Sequence, residues 1–151
     1  MRILADKEFV MTASIPAPVF GIAHWCILAA AVLPLLCAYI AKWGSFRIPR
    51  REGGYDNADP RAWLARQTAW RARANAAQAN SFEALPFFIG AVLVALQLGA
   101  PTARLDMLAL LWVLCRLVFI GAYVGKLSTL RSLVWALAFA LNVAILLLGW
   151  R

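Results

Sequence analysis

The 151-residue sequence is short of charge and of the residues that usually carry soluble enzyme chemistry. Only 15% of its residues are charged and it holds a single histidine, whereas 64% are hydrophobic and the mean hydropathy is +0.74. A soluble domain has about a quarter of its residues charged and about half of them apolar. This composition excludes an ordinary soluble domain and predicts an integral membrane protein.

Cysteine is also scarce. Cys26, Cys37 and Cys115 lie inside apolar stretches, and no two of them form a CxxC pair. Cysteines in such surroundings are most often small buried hydrophobic side chains. They therefore indicate no metal site and say nothing about a redox compartment.

Long apolar runs make up most of the remaining chain. A membrane-spanning helix needs about 20 mostly apolar residues, and four stretches provide them, at approximately 20–43, 74–99, 105–125 and 131–150. The sequence therefore predicts an all-α integral membrane fold, a bundle of four transmembrane helices. We expect it to form one domain over residues 1–151, with no separate soluble module.

Positive charge is concentrated on one side of the predicted membrane. The formal net charge is +8, and eight of the fifteen lysines and arginines lie between Lys42 and Arg73. Because short basic loops stay in the cytoplasm, we expect this loop and the one from Lys126 to Arg131 to be cytoplasmic and both termini to be outside. No recognition motif accompanies the charge, so nucleic acid is not an expected partner.

The N-terminal segment and the ratio of arginine to lysine indicate in which membrane the protein resides. Residues 1–20 lack the basic-then-apolar order and the cleavage site of a signal peptide, and Met11 is an alternative start to Met1. Twelve arginines against three lysines hint at a GC-rich bacterial genome. We therefore expect a bacterial inner-membrane protein, although a member from the endoplasmic reticulum would have a similar composition.

The loop after the first span ends in a helix start. Asp59 is a good N-cap and Pro60 suits the first helical position, so we expect one helix from about Pro60 to Gly99. Its uncharged part, residues 84–98, is too short to cross a bilayer. The membrane-level part must therefore begin near Ala79.

This register places polar groups below the membrane surface. Asn80 and Glu83 then lie at membrane depth, with Arg73 on the same stripe nearer the cytoplasm, and such groups face the bundle interior. Arg116, in the middle of the third span, lies at a similar depth. We therefore expect an ion pair between Glu83 and Arg116.

Tyr123 and Arg131 complete a polar group at the cytoplasmic half of the bundle. Each member also has a structural interpretation: Asn80 as interhelical hydrogen-bonding glue, Tyr123 as an interfacial aromatic residue, and Arg73 and Arg131 as cytoplasmic anchors. Because these polar residues gather in one half of the bundle, they favour a cavity that binds an anionic, hydrogen-bonding ligand. An apolar molecule from the bilayer would meet that ligand there.

Three stretches, YDNADPRAW, RARANAAQANSFEALPFF and RLVFIGAYVGKLSTLRSLVW, resemble the membrane-associated proteins in eicosanoid and glutathione metabolism, the MAPEG family, and above all its short bacterial members. The resemblance implies a homotrimer of four-helix subunits with sites between neighbours. Many members bind glutathione and add it to lipophilic substrates, or use it to isomerise or reduce them. One branch only binds a lipid partner.

The resemblance also implies roles for single residues. It makes Asn80, Glu83 and Arg73 contacts of the glutathione peptide, Arg116 the support of Glu83, Tyr123 a neighbour of the sulfur, and Arg131 the cation that lowers the thiol pKa. Two positions depart from the family pattern. Ala76 replaces a usual arginine and Ala84 a frequent tyrosine, and Gln78, Lys42 or Arg73 are the residues able to compensate.

The expected function is a thiol-dependent transferase or peroxidase that acts on hydrophobic electrophiles, with glutathione as co-substrate. Its expected partners are further copies of itself, lipophilic small molecules and the lipid bilayer. A non-catalytic lipid-binding or accessory subunit of the same fold is the main alternative. A small transporter or channel would need a continuous polar path, to which the fourth helix contributes only Ser132 and Asn142.

Overall fold

Five α-helices account for most of the structure, a computed structural model that describes residues 20–150. In chain order they are α1 (Ile22–Lys42), α2 (Pro60–Ala65), α3 (Ala69–Gln97), α4 (Thr102–Val124) and α5 (Ser128–Leu147), with short 3-10 turns at Ser45–Arg47 and Arg50–Glu52 between α1 and α2. The alternative starts Met1 and Met11 lie outside the described residues, as does the N-terminal segment on which the signal-peptide prediction rests.

Four of these helices, α1, α3, α4 and α5, are long and apolar enough to cross a membrane, which confirms the predicted fold class. α3 and α4 each pack against all three other spans, with α1 and α5 at their flanks. α3 has 29 residues, about 44 Å at 1.5 Å per residue, and is therefore longer than the roughly 30 Å hydrocarbon layer.

The predicted continuous helix from Pro60 to Gly99 is wrong, because the chain turns between α2 and α3. The predicted start is present: the Asp59 carboxylate accepts a hydrogen bond from the Ala62 N–H (3.2 Å). α3 begins only at Ala69, whose φ of 51° lies in the left-handed region. Alanine rarely adopts this conformation, so local preference gives no warning of the turn.

The α2 helix is tied to the preceding loop by a buried tryptophan. Trp63 is 2% exposed, and its indole N–H donates to the Gly53 carbonyl (3.0 Å). Its ring meets that of Tyr55 edge to face. These contacts fix α2 as a short helix beside the bundle instead of an extension of α3.

The α4–α5 connection is a tight turn of three residues, 125–127. The Leu127 N–H donates back to the Ala122 carbonyl (2.9 Å), and Lys126 between them has a φ of 62°. This bond satisfies a carbonyl at the end of α4. The turn therefore sets the start of α5 directly beside the end of α4.

The core between the spans is built from small side chains around one aromatic stack. Phe88 of α3 lies flat on Trp112 of α4, with ring centroids 3.8 Å apart and planes 4° apart. Buried alanines at positions 91, 95 and 109 surround the pair, and small residues allow membrane helices to approach closely. This packing holds α3 and α4 together between Arg116 and the short connection that joins the two helices.

Candidate functional site

A buried arginine organises the middle of the bundle. Arg116 of α4 is 1% exposed, and its terminal nitrogen donates to Asn80 Oδ1 (2.9 Å) and to Ser81 Oγ (3.4 Å) on α3. Asn80 Nδ2 in turn donates to Glu83 Oε2 (3.3 Å). Guanidinium, amide and carboxylate thus form one hydrogen-bonded chain across two helices.

The predicted direct ion pair between Glu83 and Arg116 is not formed. In the part of the chain that the structure describes, the ion pair is instead Arg50 with Asp56 (3.4 Å) in the loop. The reason is helix geometry. Glu83 follows the buried Ser81 by two residues, about 200° around the helix, so its side chain lies at an exposed edge while Asn80 spans the gap.

Aromatic rings complete the surroundings of the guanidinium. Its central carbon lies 4.3 Å from the Phe119 ring centroid and 5.9 Å from that of Trp112, within the range of cation–π attraction. The Arg116 Nε has no hydrogen-bond partner among the described residues. The charge is therefore held by one amide, one hydroxyl and two rings.

A cavity of about 210 Å³ opens beside this chain, between α3, α4 and α5. Its lining residues are Asn80, Glu83, Ala84, Phe87, Trp112, Arg116, Trp135, Ala138, Phe139 and Asn142. One end is polar and the walls are aromatic. Such a cavity suits an amphiphilic ligand, with its polar group at the α3–α4 chain and its apolar part along the rings.

Tyr123, near the end of α4, and Arg131, near the start of α5, meet beside the turn that joins these two helices. The guanidinium carbon of Arg131 lies 4.6 Å from the Tyr123 ring centroid. Tyr123 packs edge to face on Phe119, with centroids 5.5 Å apart. Phe119 thus links this pair to Arg116, although neither Tyr123 nor Arg131 lines the cavity.

The arginines at the start of α3 bind the ends of neighbouring helices. Arg73 Nε donates to the Val124 carbonyl at the end of α4 (2.9 Å). Arg71, which the sequence did not single out, donates to the Trp43 carbonyl after α1 (3.0 Å). Carbonyls at helix C-termini attract cations. The Nε donor of Arg73 is therefore engaged in a hydrogen bond within the protein.

The three residues expected to compensate for the missing arginine, Gln78, Lys42 and Arg73, all lie outside the cavity lining. Gln78 is half-buried on α3, two residues before Asn80. Lys42 ends α1, where its ammonium lies 4.5 Å from the Tyr55 ring centroid. Lys42 therefore lies beside the connection between α1 and α2.

Sequence reasoning missed the parts that Ser81 and Asn142 take in the site. Ser81 binds the arginine, and Asn142 lines the cavity from α5. The sequence could have predicted that Asn142 faces the bundle interior, because a lone amide in an apolar span rarely faces lipid. For Ser81 the sequence offered no such signal.

Four helices long and apolar enough to span a membrane, with a cavity of polar and aromatic lining between three of them, define a small integral membrane protein of the four-helix class. The model of the MAPEG family matches residues 22–150, and the chain belongs to this family. Membership supports a membrane glutathione-related transferase, peroxidase or related activity at the level of the family. Searches of curated proteins and of solved structures returned no match.

Proposed function

We propose that the protein is a membrane-bound transferase or peroxidase that uses glutathione, or another low-molecular-weight thiol, against hydrophobic electrophiles in a bacterial inner membrane. The observation that carries the proposal is the cavity itself, where the Arg116–Asn80–Glu83 chain meets aromatic walls. Its aromatic walls suit an apolar electrophile, and Asn80 and Glu83 at its polar end suit one part of a thiol peptide. Family membership supports the same chemistry.

The peptide part of the thiol has matching groups on α3. Glu83 is exposed beside the cavity, and its carboxylate suits the ammonium group or an amide N–H of the peptide. Arg73, fixed through Nε at the Val124 carbonyl, would turn its terminal nitrogens to a ligand carboxylate. Gln78 and Lys42 would add donors in place of the arginine that Ala76 replaces.

The reacting sulfur would lie near Arg131 and Tyr123. A thiolate is the nucleophile in such chemistry, and a nearby cation lowers the pKa of a thiol. Arg131 would stabilise the thiolate while the Tyr123 hydroxyl orients it. The sulfur then forms a bond to the electrophilic carbon, and the leaving group departs with its electron pair.

Calorimetry on the detergent-purified protein tests the proposal. We expect heat of binding with glutathione or another cellular thiol, and weaker binding of the glutathione analogue in which a methyl group replaces the thiol. The analogue is the control, because it keeps every peptide contact. Absence of heat with all cellular thiols would contradict the enzyme proposal and favour the lipid-binding accessory subunit. The alanines at positions 76 and 84, where the family usually has arginine and often has tyrosine, support that alternative.

We also propose that the protein assembles as a homotrimer. Glu83 lies exposed on α3 at membrane depth, and a carboxylate facing lipid there is costly. A neighbouring subunit packed on this face would cover it. Native mass spectrometry of the protein in detergent should give a mass three times that of the 16.6 kDa chain. A monomer or a two-fold dimer as the main species would contradict this.

A further inference from the structure

A second cavity lies at the end of α1, apart from the one between α3, α4 and α5. Its volume is about 240 Å³, and it is lined by Tyr39, Trp43, Gly44, Phe46 and Arg47. Gly44 has a φ of 75°, which glycine adopts without strain, and it turns the chain out of the helix. The three rings are each more than half exposed. The cavity is therefore open, with three aromatic side chains and one cation around it.

The backbone around this cavity is fixed by contacts within the protein. The Ser45 hydroxyl, which is buried, donates to the Lys42 carbonyl (2.6 Å), and Arg71 donates to the Trp43 carbonyl (3.0 Å). The rings of Tyr39 and Trp43 meet edge to face, with centroids 5.4 Å apart. The walls are therefore held in place without a ligand.

Positive charge is in excess at this end of the bundle. Arg71 and Arg73 bind the ends of α1 and α4, so the connections at residues 42–73 and 126–131 lie at the same end. They hold eight and two lysines or arginines, against three carboxylates. Of these carboxylates, Asp56 pairs with Arg50 and Asp59 caps α2. The exposed Arg47 makes no ion pair within residues 20–150.

An exposed apolar stripe on α1 leads into the cavity. Leu28, Val32, Leu35, Tyr39 and Trp43 follow one another in steps of three or four residues, so they lie on one face of the helix, and each is about half exposed or more. From Leu28 to Tyr39 the stripe is about 16 Å long at 1.5 Å per residue. This is about half of the roughly 30 Å hydrocarbon layer, the depth of one leaflet.

We propose that this site binds one anionic phospholipid. The phosphate accepts hydrogen bonds from the Arg47 guanidinium, which matches the geometry of phosphate oxygens. The glycerol part lies against the exposed rings, since Tyr and Trp favour the level where apolar and polar layers meet. One acyl chain follows the stripe on α1. The site is separate from the cavity between α3, α4 and α5, so the proposal does not depend on a thiol or an electrophile.

Charge favours an anionic lipid over a second copy of the chain on this face. Subunits of a closed cyclic oligomer share one orientation, so a second copy would bring its own excess of cations to the same level. The same excess disfavours the ammonium group of a zwitterionic headgroup. Clusters of lysine and arginine beside a membrane span are typical of anionic lipid binding.

Native mass spectrometry of the full-length protein in detergent tests the proposal by counting bound lipids during titration. We expect dioleoyl phosphatidylglycerol to bind about 10-fold more tightly than dioleoyl phosphatidylcholine, and Arg47→Gln to lose most of this preference. The matched control is Arg51→Gln, which removes the same charge from an exposed arginine outside the cavity lining. It should change the affinity by less than about twofold. Glycerophosphoglycerol, the headgroup without acyl chains, should show no binding.

Each contrary result has a definite meaning. Equal losses in Arg47→Gln and Arg51→Gln would show attraction by net charge alone and would overturn the site. Equal binding of the two phospholipids, or binding of glycerophosphoglycerol as tight as that of the lipid, would overturn it as well. Both arginines are exposed, so neither variant should change the Tm. A change of oligomeric state in Arg47→Gln would assign this face to a contact between copies.

The outcome is distinguishable from that of the proposed function. Arg47→Gln should bind thiols as the wild type does, because Arg47 lies outside the cavity of the proposed reaction. A protein that gives no heat with any thiol but prefers phosphatidylglycerol through Arg47 would refute the transferase and leave this site standing.

Discussion

Arg131→Leu should remove the thiolate from the bound thiol at neutral pH, together with most conjugation activity, while the assembly remains. A free thiol has a pKa of about 8.5, so only about 3% of it is ionised at pH 7. If Arg131 supplies the charge that ionises the bound thiol, its loss lowers the rate by up to about 30-fold. Peptide affinity should largely persist, since Asn80 and Glu83 are untouched.

The ultraviolet absorbance of the thiolate and the rate of conjugation measure this effect. A thiol ionises as the pH rises through its pKa, so the deficit of Arg131→Leu should shrink between pH 7 and pH 9. Arg131→Lys keeps the charge and should retain part of the signal. Arg104→Leu, in the exposed first turn of α4, is the matched control and should change neither readout.

An unchanged thiolate signal and rate in Arg131→Leu would make Arg131 a cytoplasmic anchor. Its contact with the Tyr123 ring would then be structural, and the lipid-binding accessory subunit would become the better proposal. Tyr123→Phe separates the two contributions of the tyrosine, because it keeps the ring under Arg131 and removes only the hydroxyl.

Asn80→Leu is expected to be the most destabilising of the polar substitutions. It removes the 2.9 Å hydrogen bond that Arg116 donates to Asn80 and leaves the buried guanidinium with Ser81 Oγ at 3.4 Å. Removing one partner of a buried charge costs roughly 3–5 kcal/mol. Thermal unfolding in detergent measures the loss, with Glu83→Gln as the matched control at below about 1 kcal/mol, since Glu83 is exposed.

The double variant Asn80→Leu with Arg116→Met should recover part of the lost stability, because it removes the unpaired charge together with its partner. Residues in one hydrogen-bonded network give non-additive effects. Simple addition of the two single effects would mean that Asn80 and Arg116 do not interact. A loss in Glu83→Gln equal to that in Asn80→Leu would mean that the carboxylate pairs with the guanidinium directly.

The fold could be predicted because each span carries its own signal. Twenty apolar residues specify a membrane helix regardless of what surrounds it, and four helices long and apolar enough to span a membrane are present, as expected. The helix start at Asp59 and Pro60 was equally local, since an N-cap depends on neighbouring backbone N–H groups alone. Local signals of this kind do not require knowledge of the packing.

The sequence brought together three residues of the buried hydrogen-bonded chain, but it predicted neither their contacts nor the parts of Ser81 and Asn142. Helical periodicity brought Asn80, Glu83 and Arg116 to one depth, but it does not fix how two helices are rotated about their axes. That rotation decides that Asn80 faces Arg116 and that Glu83 lies beyond it. The turn before Ala69 escaped prediction for a similar reason, because it depends on tertiary contacts, among them the anchoring of Trp63 to Gly53, and not on a local breaker.

The three-residue turn between α4 and α5 limits how this protein can evolve. A residue inserted into or deleted from positions 125–127 would rotate and shift the whole of α5, and would move Arg131 and Asn142 together relative to Tyr123 and Arg116. There is no loop here in which length variation is neutral. The contribution of α5 to the cavity can therefore change only by replacement of side chains on its fixed faces.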